Sequence, residues 1–266
     1  MERYQRVEDA DGRAWWAVEC PEGWALLDGA PWASGRPTGE VLVEPPCHAP
    51  WGGTKIVGIG SNYRDHAAEM GKALPAVPKL FLKAPSAVIG PGEPIEIPPG
   101  TVRVDHEAEL GVVIGRRCRR VTEAEALDYV FGYTCVNDVT ARDFQREDGV
   151  FARGKGFDTF CPMGPAIVTG LDPAGLPIGC IVNGMLRQAG NSANMHFTVP
   201  QLIAFVSSVM TLEAGDVIAT GTPAGVGPLE AGDNVIVEID GIGLLHNPVV
   251  DRADRGAPIG GGDGSA

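Results

Sequence analysis

With 266 residues, 37 glycines, 22 prolines and 44% hydrophobic residues, the chain is long enough for one large domain or for a small domain beside a larger one. That punctuation favours many turns and short strands over long helices. A formal net charge of -13 argues against nucleic acid or an anionic membrane as partner, while a small anionic substrate stays compatible through local Lys and Arg in a pocket.

In chain order, residues 3–27 read as short antiparallel strands separated by the turn signals Asp9-Ala10-Asp11-Gly12 and Pro21-Glu22-Gly23, with Trp15, Trp16, Val18 and Trp24 supplying bulk. The Pro- and Gly-rich stretch from Gly29 to Gly53 reads as a linker holding one possible strand at Glu40 to Val43. The expected organisation is a small N-terminal β domain with linker over 1–50, a main domain over 51–250 and a flexible glycine-rich tail over 251–266. Strands are expected at Lys55 to Gly60 and Lys79 to Lys83. Capping boxes at Thr122/Glu125 and Thr198/Gln201 open two helices, the second burying Leu202, Phe205, Val206 and Val209. Asn183-Gly184 and Asp240-Gly241 mark hairpins.

The start Met1-Glu2-Arg3-Tyr4 shows no apolar signal core, and no apolar run approaches bilayer length, so the chain reads as cytoplasmic. Cys20, Cys47, Cys118, Cys135, Cys161 and Cys180 lack C-x-x-C spacing and are expected to be reduced thiols.

Chemistry concentrates in a few segments. Glu107 and Glu109, two residues apart on an expected strand, project to one face, whereas Ala108, Leu110, Val112 and Ile114 form the apolar opposite register. With Asp138 at the end of Tyr133-Thr134-Cys135-Val136-Asn137-Asp138, they make three acids whose mutual repulsion a hard divalent cation would relieve. His106 has the opposite parity and is left out. The bland alternative is an acid pair on a solvated face.

His66 and Glu69 fall at i and i+3 on a short helix, where the carboxylate can orient the imidazole as a general base; the alternative is an ordinary surface pair. Lys83 ends an apolar strand, and Lys155 lies between two glycines that leave room for a ligand. Arg142 and Gln145 follow Asp138 at helical spacing. The turn from Gly221 to Gly227 can present the Thr222 hydroxyl and backbone N–H groups to a carboxylate. No G-x-S-x-G, P-loop, dinucleotide or zinc spacing competes with this set.

From about Lys55 to Val250 the chain resembles the fumarylacetoacetate hydrolase superfamily. The resemblance rests on Asn62-Tyr63-x-x-His66-x-x-Glu69, Phe81-Leu82-Lys83-Ala84-Pro85, His106-Glu107-x-Glu109-Leu110, Asn137-Asp138-Val139-Thr140-Ala141-Arg142-Asp143, Gly154-Lys155-Gly156-Phe157-Asp158-Thr159 and Thr220-Gly221-Thr222-Pro223. It implies an α+β, strand-rich fold with a mixed, partly open β-barrel or β-roll, and a homodimer. It also implies Mg²⁺ or Mn²⁺, with Ca²⁺ acceptable to the same oxygens, at Glu107, Glu109 and Asp138.

The implied substrates are small pyruvoyl or 2-oxo acids, with Arg142, Gln145 and Thr222 binding and orienting them. Lys155 would offset enolate charge, His66 and Glu69 would activate water, and Lys83 would assist or fix the lid. Hydrolytic cleavage of an acylpyruvate or β-decarboxylation is the expected reaction. The alternatives are a 2-hydroxyhepta-2,4-diene-1,7-dioate isomerase of aromatic catabolism and a catalytically silent metal-binding relative.

Overall fold

Asn183 and Gly184 both take left-handed backbone angles, with φ of 50° and 76°. That conformation suits Asn and Gly and matches the twist of a two-residue hairpin, here joining strands Pro177–Val182 and Met185–Asn191. The second expected hairpin joins Asn234–Ile239 to Gly243–Asp251. Ile239 pairs with Gly243, so Ile242 belongs to the turn and not to the strand.

A computed structural model describes residues 1–71 and 73–252. The expected flexible tail falls almost wholly outside the described residues.

Among the described residues strands dominate, in sheets of twelve, five and three, none of them closed. The twelve-stranded sheet is mixed, with Val217–Ala219 running parallel to Ile56–Gly60 among antiparallel neighbours. The strand Arg3–Glu8 pairs directly with Cys161–Val168, so the N-terminal strands extend the same sheet as the main region. Within the expected linker the strands are Pro37–Leu42 and Cys47–His48, the second pairing with Arg3–Glu8.

Among the described residues the α-helices are four: α1 (Arg64–Glu69), α2 (Arg142–Asp148), α3 (Ala152–Lys155) and α4 (Val199–Val209). In α4 the expected capping box forms, with Thr198 N–H donating to Gln201 Oε1 at 3.0 Å. Its buried stripe is Val199, Leu202, Ile203 and Val206, rotated toward Ile203, so that Val209 is exposed. Each such side chain contributes about 1.5–3 kcal/mol when buried.

Only half of the Thr122 box forms: Thr122 N–H and Oγ1–H donate to Glu125 Oε2 at 3.2 and 2.7 Å, but Glu125 N–H donates to the Thr122 carbonyl at 3.2 Å and not to Oγ1. It leads into a short 3₁₀-helix, Ala126–Tyr129, where an α-helix was expected. Only Ala126 of that segment is buried, and without an apolar stripe a longer helix has nothing to pack on.

The strand carrying the acidic motif is central. Ala108–Ile114 lies between Val130–Asn137 and Val217–Ala219, and every one of its residues is buried. Both of its faces are therefore covered, including the one bearing Glu109. No helix among the described residues is long and apolar enough to cross a membrane.

Candidate active site

The backbone is interrupted at Glu107, between the strands Val104–His106 and Ala108–Ile114. There two side chains accept the main-chain donors: Asn137 Oδ1 from Glu107 N–H at 2.9 Å, and Gln188 Oε1 from Ala108 N–H at 3.0 Å. Glu107 O in turn accepts from Asp138 N–H at 2.9 Å, which ties the third acid to the first. As a result Glu107, Glu109 and Asp138, all buried, each bring a carboxylate oxygen to within 4.8 Å of the others.

Three cations face these acids unequally. Lys155 Nζ donates to Glu107 Oε2 at 2.8 Å, Asp138 Oδ2 at 2.6 Å and Thr140 Oγ1 at 2.8 Å. Lys83, fully buried at the end of its strand, donates to Asp138 Oδ1 at 2.5 Å. Its ammonium thus braces the acidic cluster itself and not the α1 segment. Arg142 Nη2 meets Glu107 Oε1 at 2.5 Å, Nε meets Asp105 Oδ2 at 2.8 Å, and Nη1 donates to Gln145 Oε1 at 3.2 Å. Glu109 receives only Gly221 N–H, at 2.8 Å, among the described residues.

The electrostatics follow these contacts. Burial raises the Glu107 carboxyl, but the Lys155 and Arg142 charges outweigh that and hold it far below the usual glutamate range. Burial, together with the charges of Asp138 and Glu107, pushes Glu109 well above it. Burial works against the Lys155 ammonium, yet Asp138 and Glu107 keep it protonated. The cluster therefore holds one carboxylate short of positive charge. An all-oxygen donor set with a charge deficit fits a hard divalent cation, so the residues present suit the implied metal.

The glycines beside Lys155 serve packing and do not open space. A Cβ on Gly154 would lie 2.9 Å from Gln145 Cβ and 3.0 Å from Ala141 O, so α3 can sit close against α2 only with glycine there. Gly221 is equally constrained, with φ of +97° and a hypothetical Cβ 2.8 Å from Asn62 Cβ. That turn aims its N–H at Glu109. The neighbouring Thr222 hydroxyl donates to Ala108 O at 2.9 Å.

A cavity of about 460 Å³ joins these parts. Glu107, Glu109, Asp138, Lys155, Arg142, Gln145, Thr222 and His66 line it, with Phe81, Phe151 and Val226 as apolar wall. On α1, His66 Nδ1 lies 3.4 Å from Glu69 Oε2, and the Glu69 carboxylate also accepts Gly225 N–H at 3.1 and 3.2 Å. Glu69 thereby bridges α1 to the turn that follows Thr222. Lys83 lies outside the lining, one layer behind Asp138.

Three functional neighbours escaped the sequence reading. Asp105 shares the parity of Glu107 and Glu109, a signal that could have found it; it receives Arg103 Nε and Arg142 Nε, each at 2.8 Å. Asn137 sits beside Asp138 in the motif. Gln188 carries no sequence signal, since it is the one buried residue in the otherwise exposed run from Met185 to Ala189.

Known proteins share this chain's sequence and architecture. A family model described as Fumarylacetoacetate (FAA) hydrolase C-terminal matches residues 55–250. A protein of Archaeoglobus fulgidus is 55% identical over 202 residues, which is 76% of this chain and 80% of that one. The crystal structure of a 2-hydroxyhepta-2,4-diene-1,7-dioate isomerase from Mycobacterium marinum superimposes with a TM-score of 0.88 at 40% identity, covering 96% of this chain and all (100%) of that one. A fumarylpyruvate hydrolase from Pseudomonas aeruginosa, solved with Mn²⁺ and pyruvate, gives a TM-score of 0.72 at 30% identity over 76% of this chain and 91% of that one.

Proposed function

The chain belongs to the fumarylacetoacetate hydrolase superfamily, and from that premise we propose that it is a divalent-metal-dependent enzyme that cleaves or decarboxylates a small 2-oxo acid through an enolate, with hydrolysis of an acylpyruvate as the leading reaction. The observation that carries this reading is the single cavity in which the three acids, the Lys155 and Arg142 charges and the His66 ring meet. Glu107, Glu109 and Asp138 would hold Mg²⁺ or Mn²⁺, and the bound ion would supply an electrophile for a 2-oxo carboxylate and the negative charge that develops on it.

The protein's own groups have distinct tasks. Lys155, kept protonated by Asp138 and Glu107, acts as a fixed positive charge beside the developing enolate and not as a base. Arg142, pinned by Asp105, offers its guanidinium to the substrate carboxylate. Because Gln145 Oε1 accepts from Arg142, its amide NH₂ is left to donate to a substrate oxygen. Glu69 engages His66 Nδ1, which leaves Nε2 to take the proton of the water attacking the distal acyl carbon. The Phe81–Phe151 edge pair, 5.2 Å between centroids, helps to keep bulk water from the enolate.

Isomerisation of a dienoate is the second reading, favoured by the 40% identity to the M. marinum isomerase across 96% of this chain. It uses the same groups without the attacking water.

Incubation of the Mn²⁺-loaded protein with an acylpyruvate, oxaloacetate and a 2-hydroxydienedioate separates the chemistries. Pyruvate plus a free acid reports hydrolysis, CO₂ reports decarboxylation, and an unchanged mass with a shifted double bond reports isomerisation. Activity that survived full chelation of the metal would overturn the reading.

A further inference from the structure

Gln188 has its amide oriented by two backbone groups that cannot exchange roles. Ala108 N–H donates to Oε1 at 3.0 Å, and Nε2 donates to the Pro223 carbonyl at 2.9 Å. The remaining protons are thereby ordered. His106 Nδ1, 3.0 Å from Oε1, must carry a proton and donate it. Thr222 Oγ1, 2.7 Å from Nε2, must accept, and its own proton goes to Ala108 O at 2.9 Å. One side chain thus ties the His106 imidazole and the Ala108 N–H, on either side of Glu107, to the turn whose Gly221 N–H holds Glu109.

We propose that Gln188 is a positioning residue for the acidic cluster, fixing Glu107 and Glu109 at the spacing a divalent cation requires; this rests on the metal site proposed above. The break at Glu107 is what makes such a device necessary. Where a continuous strand would use ladder bonds, the N–H groups of Glu107 and Ala108 rely on the side chains of Asn137 and Gln188, so the placing of this backbone depends on those amides as well as on the bond from Asp138 N–H to Glu107 O. His106 belongs to the same device. Its Nε2 is buried with no hydrogen-bond partner among the described residues, and a Cβ on Gly227 would lie 3.4 Å from it, so the ring serves through Nδ1–H alone. A smaller donor at 106 can replace it.

The test is titration of the full chain with Mn²⁺ alone, with free ion read by electron paramagnetic resonance and folding by circular dichroism. Q188L and H106L are expected to weaken Mn²⁺ binding about 10–100-fold, the usual cost of losing a group that orients a metal ligand. H106N, which returns an N–H donor toward Gln188, is expected to bind like the parent. N247A serves as control. It removes one buried and one partly buried hydrogen bond, to Gly90 O at 2.8 Å and Glu93 O at 2.9 Å, from residues outside the cavity lining, and should leave Mn²⁺ binding unchanged.

A folded Q188L that binds Mn²⁺ as tightly as a binding-competent parent overturns this inference and leaves the metal site standing. Equal weakening in N247A and Q188L also overturns it, because the effect is then general loosening. Should Q188L not fold, the contrast between H106L and H106N decides, and equal affinities in that pair overturn the proposal. A parent that binds no Mn²⁺ overturns the metal site and this inference together.

Discussion

Asp216 and Glu109 are both buried carboxylates reached from the same part of the large sheet, and their surroundings are opposite. Asp216 Oδ1 accepts Thr54 N–H at 2.7 Å, Thr54 Oγ1–H at 2.9 Å and Lys55 N–H at 3.1 Å, while Oδ2 accepts Glu213 N–H at 2.8 Å and the Lys55 ammonium. Its acceptor capacity is filled, and it fastens the strand Ile56–Gly60 to Val217–Ala219. Glu109 has one backbone donor and two acidic neighbours. A closed carboxylate is a fastening, whereas one left short of donors marks a place prepared for a cation.

The contrast can be broken by mutation. The largest effect is expected from E109Q, which should abolish Mn²⁺ binding and lower turnover on the order of 10³–10⁴-fold, several kcal/mol of charge stabilisation. The melting temperature of its metal-free form should stay level or rise, because a buried acid crowded by Asp138 and Glu107 is replaced by a neutral amide. D216N should do the reverse. Leaving Lys55 without its buried partner costs about 3–5 kcal/mol in denaturant unfolding, with kcat of the folded fraction retained.

H66A separates catalysis from ion binding: about a 100-fold or greater loss of hydrolytic kcat is expected, with the Mn²⁺ dissociation constant unchanged. Unaltered turnover of every pyruvoyl substrate would remove His66 from the mechanism.

The smallest effect concerns Asp143, a carboxylate between these extremes, each oxygen of which accepts a hydrogen bond, from Thr101 Oγ1–H at 2.6 Å and from Val102 N–H at 3.2 Å. Burial is the largest single influence on its carboxyl and raises it, but the Thr101 and backbone hydrogen bonds together outweigh it and hold the group below the ordinary aspartate value. A lowered acid stabilises the fold above its unfolded pKa and loses that contribution as pH falls through the folded one. D143N should therefore cost about 1 kcal/mol or less near neutrality, since the group is partly exposed, and the difference from the parent should vanish in acid-unfolding curves.

Legibility from sequence followed the range of the interactions. The hairpin at Asn183-Gly184 and the box at Thr198 were readable because their geometry is satisfied within four residues. The Thr122–Glu125 contact was equally readable, but an α-helix after it needed an apolar stripe, and of that segment only Ala126 is buried. Strand parity grouped Glu107 with Glu109, and i, i+3 spacing grouped His66 with Glu69. Lys83 was visible as a cation ending an apolar strand, whereas its pairing with Asp138, 55 residues away, was not.

Sequence by itself determined the turns, the strand-rich class, the family and the identity of the acids, because turn chemistry, periodicity and motif order are local properties of the chain. Only the tertiary structure decided that both faces of Ala108–Ile114 are covered, that Lys83 and Lys155 divide Asp138 between them, and that Gln188 holds the break at Glu107. The reason is that a carboxylate's behaviour depends on how many donors reach it. Those donors arrive from strands and turns far apart in the chain, brought together by sheet order that no single segment encodes.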